Sequence, residues 1–431
     1  MNYHQLAGQA LDNELAAVKE AFEAFKARRL SLDMSRGKPA GDQMAVSNEL
    51  LTAVTGDNIR SAAGLDTRNY GLSDGLPECK TLFAELFGLP ADQVIAGGNS
   101  SLKMMFDTIG HGVTHGFGDL PWGRQGDIKF LCPAPGYDRH FAVTEYFGIQ
   151  MIPIAMTAEG PDMAEVRRLC EGDASIKGIW CVPMYSNPQG ITYSDAVVDA
   201  FAALKPAAPD FRIMWDNAYM VHHLSDDRDV LKNIHAACAA AGNEDLVIQF
   251  ASTSKISFSG GGVAAMAASP RNIALIKKRL VIESIGPDKI NQLRHTRCFQ
   301  DAAAIDRHMK KHAALIAPKF AVVLDTLAAE LGDREILSWT NPKGGYFISV
   351  DTLPGCAARV VALCREAGVV LTGAGATYPY GKDPQDSNIR IAPTFPPIGE
   401  LQMAVDLFCV AVRLASLERL AANQSILQNK D

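Results

Sequence analysis

Ser252-Thr253-Ser254-Lys255-Ile256-Ser257-Phe258-Ser259-Gly260-Gly261-Gly262 follows, after Ala251, the largely apolar run Leu246 to Phe250. That run reads as a buried strand, so the lysine falls just beyond its carboxyl end among small hydroxyl residues. A packed neighbourhood depresses a lysine's pKa by desolvation, which favours the free amine that Schiff-base chemistry needs. The hydroxyls and free backbone N–H groups beside it suit a phosphate. Ser-x-Ser-Lys also occurs in surface loops, so its meaning depends on what the rest of the chain brings to the same place.

Working outward, short apolar runs alternate with helical ones. Val94-Ile95-Ala96, Ile128 to Leu131, Met151 to Ile154, Ile179 to Val182, Phe211 to Trp215, Leu246 to Phe250 and Val263 to Met266 read as strands. Helices are expected from about Ser100, Tyr137, Met163 and Ser194, and near Val230. Apolar strands separated by helices imply a mostly parallel sheet covered on both faces, and such sheets bind ligands at the carboxyl ends of their strands. An amphipathic helix is expected over Leu11 to Leu30, then the breaker-rich loop Ser35-Arg36-Gly37-Lys38-Pro39, and a helix over Glu78 to Phe87 after Pro77. Beyond Pro287 a long, broken helical stretch over Lys289 to Leu331 leads to a second α/β region. Its strands are Tyr346 to Val350, Val369 to Leu371 and Ile389 to Ile391, with helices at Ala357 to Ala367 and from Gly399.

The 431 residues allow a large core, and 48% hydrophobic with 21% charged residues is an ordinary globular balance. A formal net charge of −7 argues against nucleic acid or an anionic membrane as a partner. No apolar run approaches the roughly 20 residues that span a bilayer, and Met1 to Arg29 lacks the pattern of a secretory signal. Nine scattered cysteines without a Cys-x-x-Cys pair favour reduced thiols and a cytoplasmic location. His111/His115 and His308/His312 have one-turn spacing but no accompanying Glu in a His-Glu-x-x-His pattern, so no metal is expected.

Five strand ends carry the chemistry. They are Gly97-Gly98-Asn99-Ser100-Ser101, Pro133-Ala134-Pro135-Gly136-Tyr137, Tyr185-Ser186-Asn187-Pro188-Gln189-Gly190, Asp216-Asn217-Ala218-Tyr219 and the lysine segment. Together they offer an amide, an acid, a phenol, an amine, an aromatic face and a phosphate cradle, an inventory suited to pyridoxal 5′-phosphate. With Asn-Pro-x-Gly, Asp-x-x-Tyr, Ser-x-Ser-Lys and Asn388-Ile389-Arg390 in this order, the chain resembles the fold-type I, class I/II aminotransferases, in particular their divergent bacterial aspartate-aminotransferase-like branch.

That resemblance implies an α/β fold with a large cofactor domain, its mostly parallel seven-stranded sheet sandwiched by helices, plus a smaller α/β domain. The expected division is 1–50 for the amino-terminal helix and arm (part of the small domain), 51–300 for the large domain and 301–431 for the carboxyl-terminal part of the small domain. It implies that Lys255 bonds the cofactor and later moves the proton on the substrate's Cα, while Asp216 keeps the pyridine nitrogen protonated. Tyr219 and Asn187 would bond the phenolic oxygen and Tyr137 would stack on the ring. Gly98, Asn99, Ser100, Ser101, Ser252 and Ser254 would hold the phosphate at a helix N-terminus. Tyr70 would reach the phosphate of a neighbouring subunit, making a homodimer with shared sites. Arg390 would grip the substrate α-carboxylate with a guanidinium fork, beside Gly37 and Asn187.

Two departures stand out. The family's phosphate arginine, in Gly-x-Arg-x-Gly, is replaced here by Gly260-Gly261-Gly262-Val263-Ala264. No residue matches the arginine that binds a distal carboxylate; Arg36, Lys38, Lys289, Arg294 and Arg297 are the nearest choices. The expected reaction moves an amino group from an L-amino acid, aspartate foremost, to 2-oxoglutarate by a ping-pong route. Rival readings are an aromatic or kynurenine-type aminotransferase, a C–S β-lyase, or, more remotely, an aminotransferase-like regulatory domain.

Overall fold

A computed structural model describes residues 1–428. The main sheet runs in the order Val94–Ala96, Ala264–Ala268, Val247–Ser252, Arg212–Asp216, Ile176–Cys181, Lys129–Ala134, Gln150–Thr157 and the two-residue edge strand Gly160–Pro161. The seven expected strands are all present. Those from Val247–Ser252 through to Gln150–Thr157 pair in parallel, while Ala264–Ala268 runs against both of its neighbours.

Side chains alternate between two apolar layers, as the period of two requires. Ile213 and Trp215 enter one layer with Val166, Val198 and Phe201 from helices Met163–Gly172 and Asp195–Ala202. Met214, Ile248 and Phe250 enter the other, with Met105, Ile109 and Phe141 from helices Ser101–His115 and Asp138–Tyr146. Each large side chain buried this way contributes about 1.5–3 kcal/mol. The same alternation carries Asp216 and Ser252 onto the second face, toward the first turns of those two helices.

A second apolar cluster gathers helices Gln9–Ala27, Ala302–Leu331 and Ile398–Gln428 around a sheet of Leu337–Trp339, Ile348–Thr352 and Asn388–Ile391. Arg390 lies opposite Ser349 in that sheet. Leu32–Asp33 pairs in parallel with Val369–Val370, which brings the loop carrying Gly37 against the same cluster.

The helix expected near Val230 begins instead at Ile234 and ends at Ala240. Asn233 caps it by accepting from the His235 and Ala236 N–H groups, and Val230 stays exposed in the preceding loop. Helix Pro270–Glu283 was not foreseen, although Ser269 caps it and Pro270 opens it. The stretch from Lys289 breaks between Cys298 and Ala302, where Asp301 starts the second helix. Among the described residues all nine cysteines are free, and no helix is long and apolar enough to cross a membrane.

Candidate active site

The lysine turn is tied at its base by Thr253. Its N–H donates to the Val263 carbonyl at 2.8 Å, and its hydroxyl accepts from the Val263 N–H at 2.9 Å. Its carbonyl accepts from the N–H groups of Ile256 at 2.9 Å and Ser257 at 2.8 Å. Lys255 is therefore presented from a closed turn rather than a free loop. Its amine lies 5.0 Å from the centre of the Tyr219 ring and 5.8 Å from that of Tyr346. Desolvation pushes the amine below the ordinary lysine range; the Asp216 carboxylate opposes that shift and the Arg390 cation adds to it.

A cavity of about 220 Å³ opens there, lined by Ser100, Ser101, Tyr137, Asn187, Asp216, Tyr219, Ser252, Ser254 and Lys255. Asp216 is buried, and its Oδ2 lies 3.0 Å from His140 Nε2 while Oδ1 has no partner. A carboxylate only accepts, so His140 Nε2 carries the proton in that bond. The His140 ring stacks on Trp180 at 4.3 Å and 10°. Trp180 donates to the Thr144 hydroxyl at 2.7 Å, which in turn donates to the His140 carbonyl. Tyr137 meets the His140 ring edge-on at 4.9 Å. Burial holds both Tyr137 and Tyr219 above the ordinary phenol range, so each remains a neutral O–H donor.

At the other end Ser100 caps helix Ser101–His115 by accepting from the Lys103 N–H. Asn99 donates to the Gly260 carbonyl at 3.1 Å, and Ser254 donates to the Asn99 carbonyl at 3.2 Å. Ser252 donates to Ser254 at 3.1 Å. The loop from Gly98 to Ser101 and the lysine turn are thus laced together around the helix N-terminus. Where the family arginine is missing, Gly262 comes so close that an added Cβ would lie 3.0 Å from the Ser254 nitrogen. Lys255 is the only basic side chain lining this cavity among the described residues.

Arg390 is buried and reaches the site from the second sheet. Its Nη1 donates to Asn187 Oδ1 at 3.1 Å and to Asp138 Oδ1 at 3.0 Å, and Nη2 makes a long contact of 3.4 Å to the Thr372 hydroxyl. Its guanidinium carbon lies 4.8 Å from the Phe347 ring centre. A Cβ on Gly37 would fall 2.3 Å from that same ring, so any larger residue would have to displace it. Since Asn187 gives its oxygen to Arg390, its NH₂ is free to point into the cavity.

Tyr70, expected at a phosphate, stands clear of these contacts: its side chain is exposed and is not part of the cavity wall. Of the choices for a distal carboxylate, Lys289 donates to the Gly71 carbonyl at 3.0 Å and Arg297 to the carbonyls of Ala53, Asn58 and Arg60, both as loop clamps. Arg294 Nε is buried without a partner, Lys38 lies 3.9 Å over the Phe395 ring, and Arg36 is exposed. His140, Asp138, Thr253 and Phe347 were missed. The signal for His140 was its place one helical turn after Tyr137.

The residues present fit pyridoxal phosphate. Asp216 Oδ1 is a buried acceptor with no partner, suited to a pyridinium N–H, and the opposite end offers hydroxyls and helix N–H groups for a phosphate. The family model described as aspartate amino-transferase matches residues 6–424. An aspartate aminotransferase of Corynebacterium glutamicum is 44% identical over 406 residues, 94% of each chain. A protein of Mycolicibacterium smegmatis with a provisional aminotransferase name is 48% identical over 435 residues, 100% of each chain. The crystal structure of an aspartate transaminase from Corynebacterium glutamicum superposes with a TM-score of 0.94 at 42% identity, covering 97% of this chain and 99% of that one.

Proposed function

As the chain belongs to the pyridoxal-phosphate-dependent fold-type I aminotransferases, we propose that it moves the amino group of an L-amino acid, aspartate foremost, to 2-oxoglutarate by a ping-pong route. The observation that carries this reading is the pairing, across one cavity, of a desolvated lysine amine with a buried aspartate whose free oxygen lacks a partner. When bound, the cofactor supplies an electron sink that makes the substrate's Cα–H acidic.

The chain's own groups do the rest. Lys255 Nζ would hold the cofactor and, once the substrate's amino group has displaced it, would carry the proton from substrate Cα. Asp216, held by His140, would keep a proton on the pyridine nitrogen. Tyr219 O–H and the Asn187 NH₂ would donate to the phenolic oxygen, and Tyr137 would cover the ring. Gly98, Asn99, Ser100, Ser101, Ser252 and Ser254 would take the phosphate. Arg390 takes the α-carboxylate, with Gly37 leaving room for Phe347 beneath the guanidinium. We further propose a large domain over 51–300, with 1–50 and 301–431 forming the small one. We also propose a cytoplasmic homodimer in which Tyr70, exposed in the single chain, serves the neighbouring site.

The test is a donor screen on the cofactor-loaded enzyme. Glutamate formed from 2-oxoglutarate, with aspartate the best donor, supports the reading. Pyruvate and ammonia released from a sulfur amino acid would overturn it in favour of a β-lyase.

A further inference from the structure

Arg390 is held from two elements that belong to the opposite side of the cavity. Asn187 follows strand Ile176–Cys181, and Asp138 opens helix Asp138–Tyr146. Both accept from the same nitrogen, Nη1, at 3.1 and 3.0 Å, so its two protons are committed. Nη2 has only the 3.4 Å contact to Thr372, and Nε is buried without a partner. Asp138 therefore supplies the anion that balances a buried cation, and it fixes the plane of the guanidinium over Phe347.

The position of Asp138 is itself determined. It sits one residue after Tyr137 on the ring face and two before His140, the partner of Asp216. The Gly136 N–H, just upstream, donates to the Thr377 carbonyl at 2.7 Å and ties this segment to the chain that carries Thr372 and Arg390. One helical turn thus sets the distance between the group that would hold the pyridine nitrogen and the group that would hold the substrate carboxylate.

We propose that Asp138 is a positioning residue for substrate recognition, acting through Arg390; this rests on the aminotransferase reading of Arg390. An acid beside the carboxylate site has two opposed effects. It orients the guanidinium, and it repels an incoming anion. Asp138 is 33% exposed and sits at the positive end of a helix, so solvent and the helix dipole damp the repulsion while the 3.0 Å bond keeps its geometry. Orientation therefore wins, and loss of Asp138 weakens carboxylate capture.

The experiment uses holoenzyme of the parent, Asp138→Ala and Asp138→Asn. It compares KM and kcat for the amino acid the parent turns over, and calorimetric binding of succinate, a non-reacting dicarboxylate. Asp138→Ala should raise KM and the succinate Kd together by roughly tenfold with a much smaller change in kcat. Asp138→Asn keeps an oxygen acceptor for Nη1 and should recover most of the loss. Unchanged succinate binding in Asp138→Ala, or tighter binding in either variant, would overturn the proposal, the latter by making Asp138 a competitor. A parent that binds succinate no better than Arg390→Gln would instead sink the carboxylate role of Arg390, and this inference with it.

Discussion

At Lys255 the influences on the amine have definite signs. Desolvation and the Arg390 cation both disfavour the charged form, and Asp216 favours it. In cofactor-free protein, the rate of pyridoxal phosphate uptake should therefore rise with pH to a midpoint below that of an ordinary lysine. Arg390→Gln removes a cation and should move the midpoint up; Asp216→Asn removes an anion and should move it down. Opposite shifts in a stopped-flow pH series would contradict the electrostatics. Lys255→Ala should cost at least about 100-fold in turnover, from lost proton transfer alone, with the circular dichroism spectrum unchanged. His140→Phe keeps a ring against Trp180 and leaves both Asp216 oxygens unpartnered. It should loosen cofactor binding by roughly tenfold in equilibrium dialysis, because an unpaired buried acceptor is costly. Equal retention of cofactor would show that Asp216 does not depend on His140.

Among the elements, the strands were the most legible, because apolar runs of fixed length with period-two burial are a strong local signal. Asp216 and Ser252 could be placed at strand ends from sequence. Their common face follows only from register, which ties Asp216 to Phe250 in the neighbouring strand. The helix opening at Asp138 was foreseen, but its contents were read only as far as Tyr137. Asp138 and His140 act on residues from strands far away in sequence, and no local pattern announces such partners. The displaced helix at Ile234 has a different cause, a side-chain cap at Asn233 that competes with plain apolar periodicity. The resemblance places Gly37 beside the substrate carboxylate, and the structure adds a steric reason for glycine there in Phe347. Gly37→Ala should push that ring toward Arg390, raise KM for substrate by roughly tenfold and cost about 1–3 kcal/mol of stability from overpacking. An unaltered KM would mean the ring relaxes away from the guanidinium.

For the whole molecule, the proposed homodimer is tested most sharply at Tyr70. It is 82% exposed, and its neighbour Gly71 donates to the carbonyl of Ile285, itself exposed, at 3.2 Å. If Tyr70 serves the neighbouring site, mixing Tyr70→Ala and Lys255→Ala subunits under exchange conditions creates one intact site per hybrid dimer, and activity should reappear. Mixtures no more active than their components would contradict a role for Tyr70 in the neighbouring site.

The most direct measurement is the visible absorbance of purified, cofactor-loaded protein, recorded before and after aspartate and again after 2-oxoglutarate. A visible band that bleaches with aspartate and returns with 2-oxoglutarate is the predicted result, and it ties Lys255, the cofactor and both substrates together. A protein that stays colourless after incubation with pyridoxal phosphate, or a band that neither aspartate nor any other amino acid alters, would contradict it.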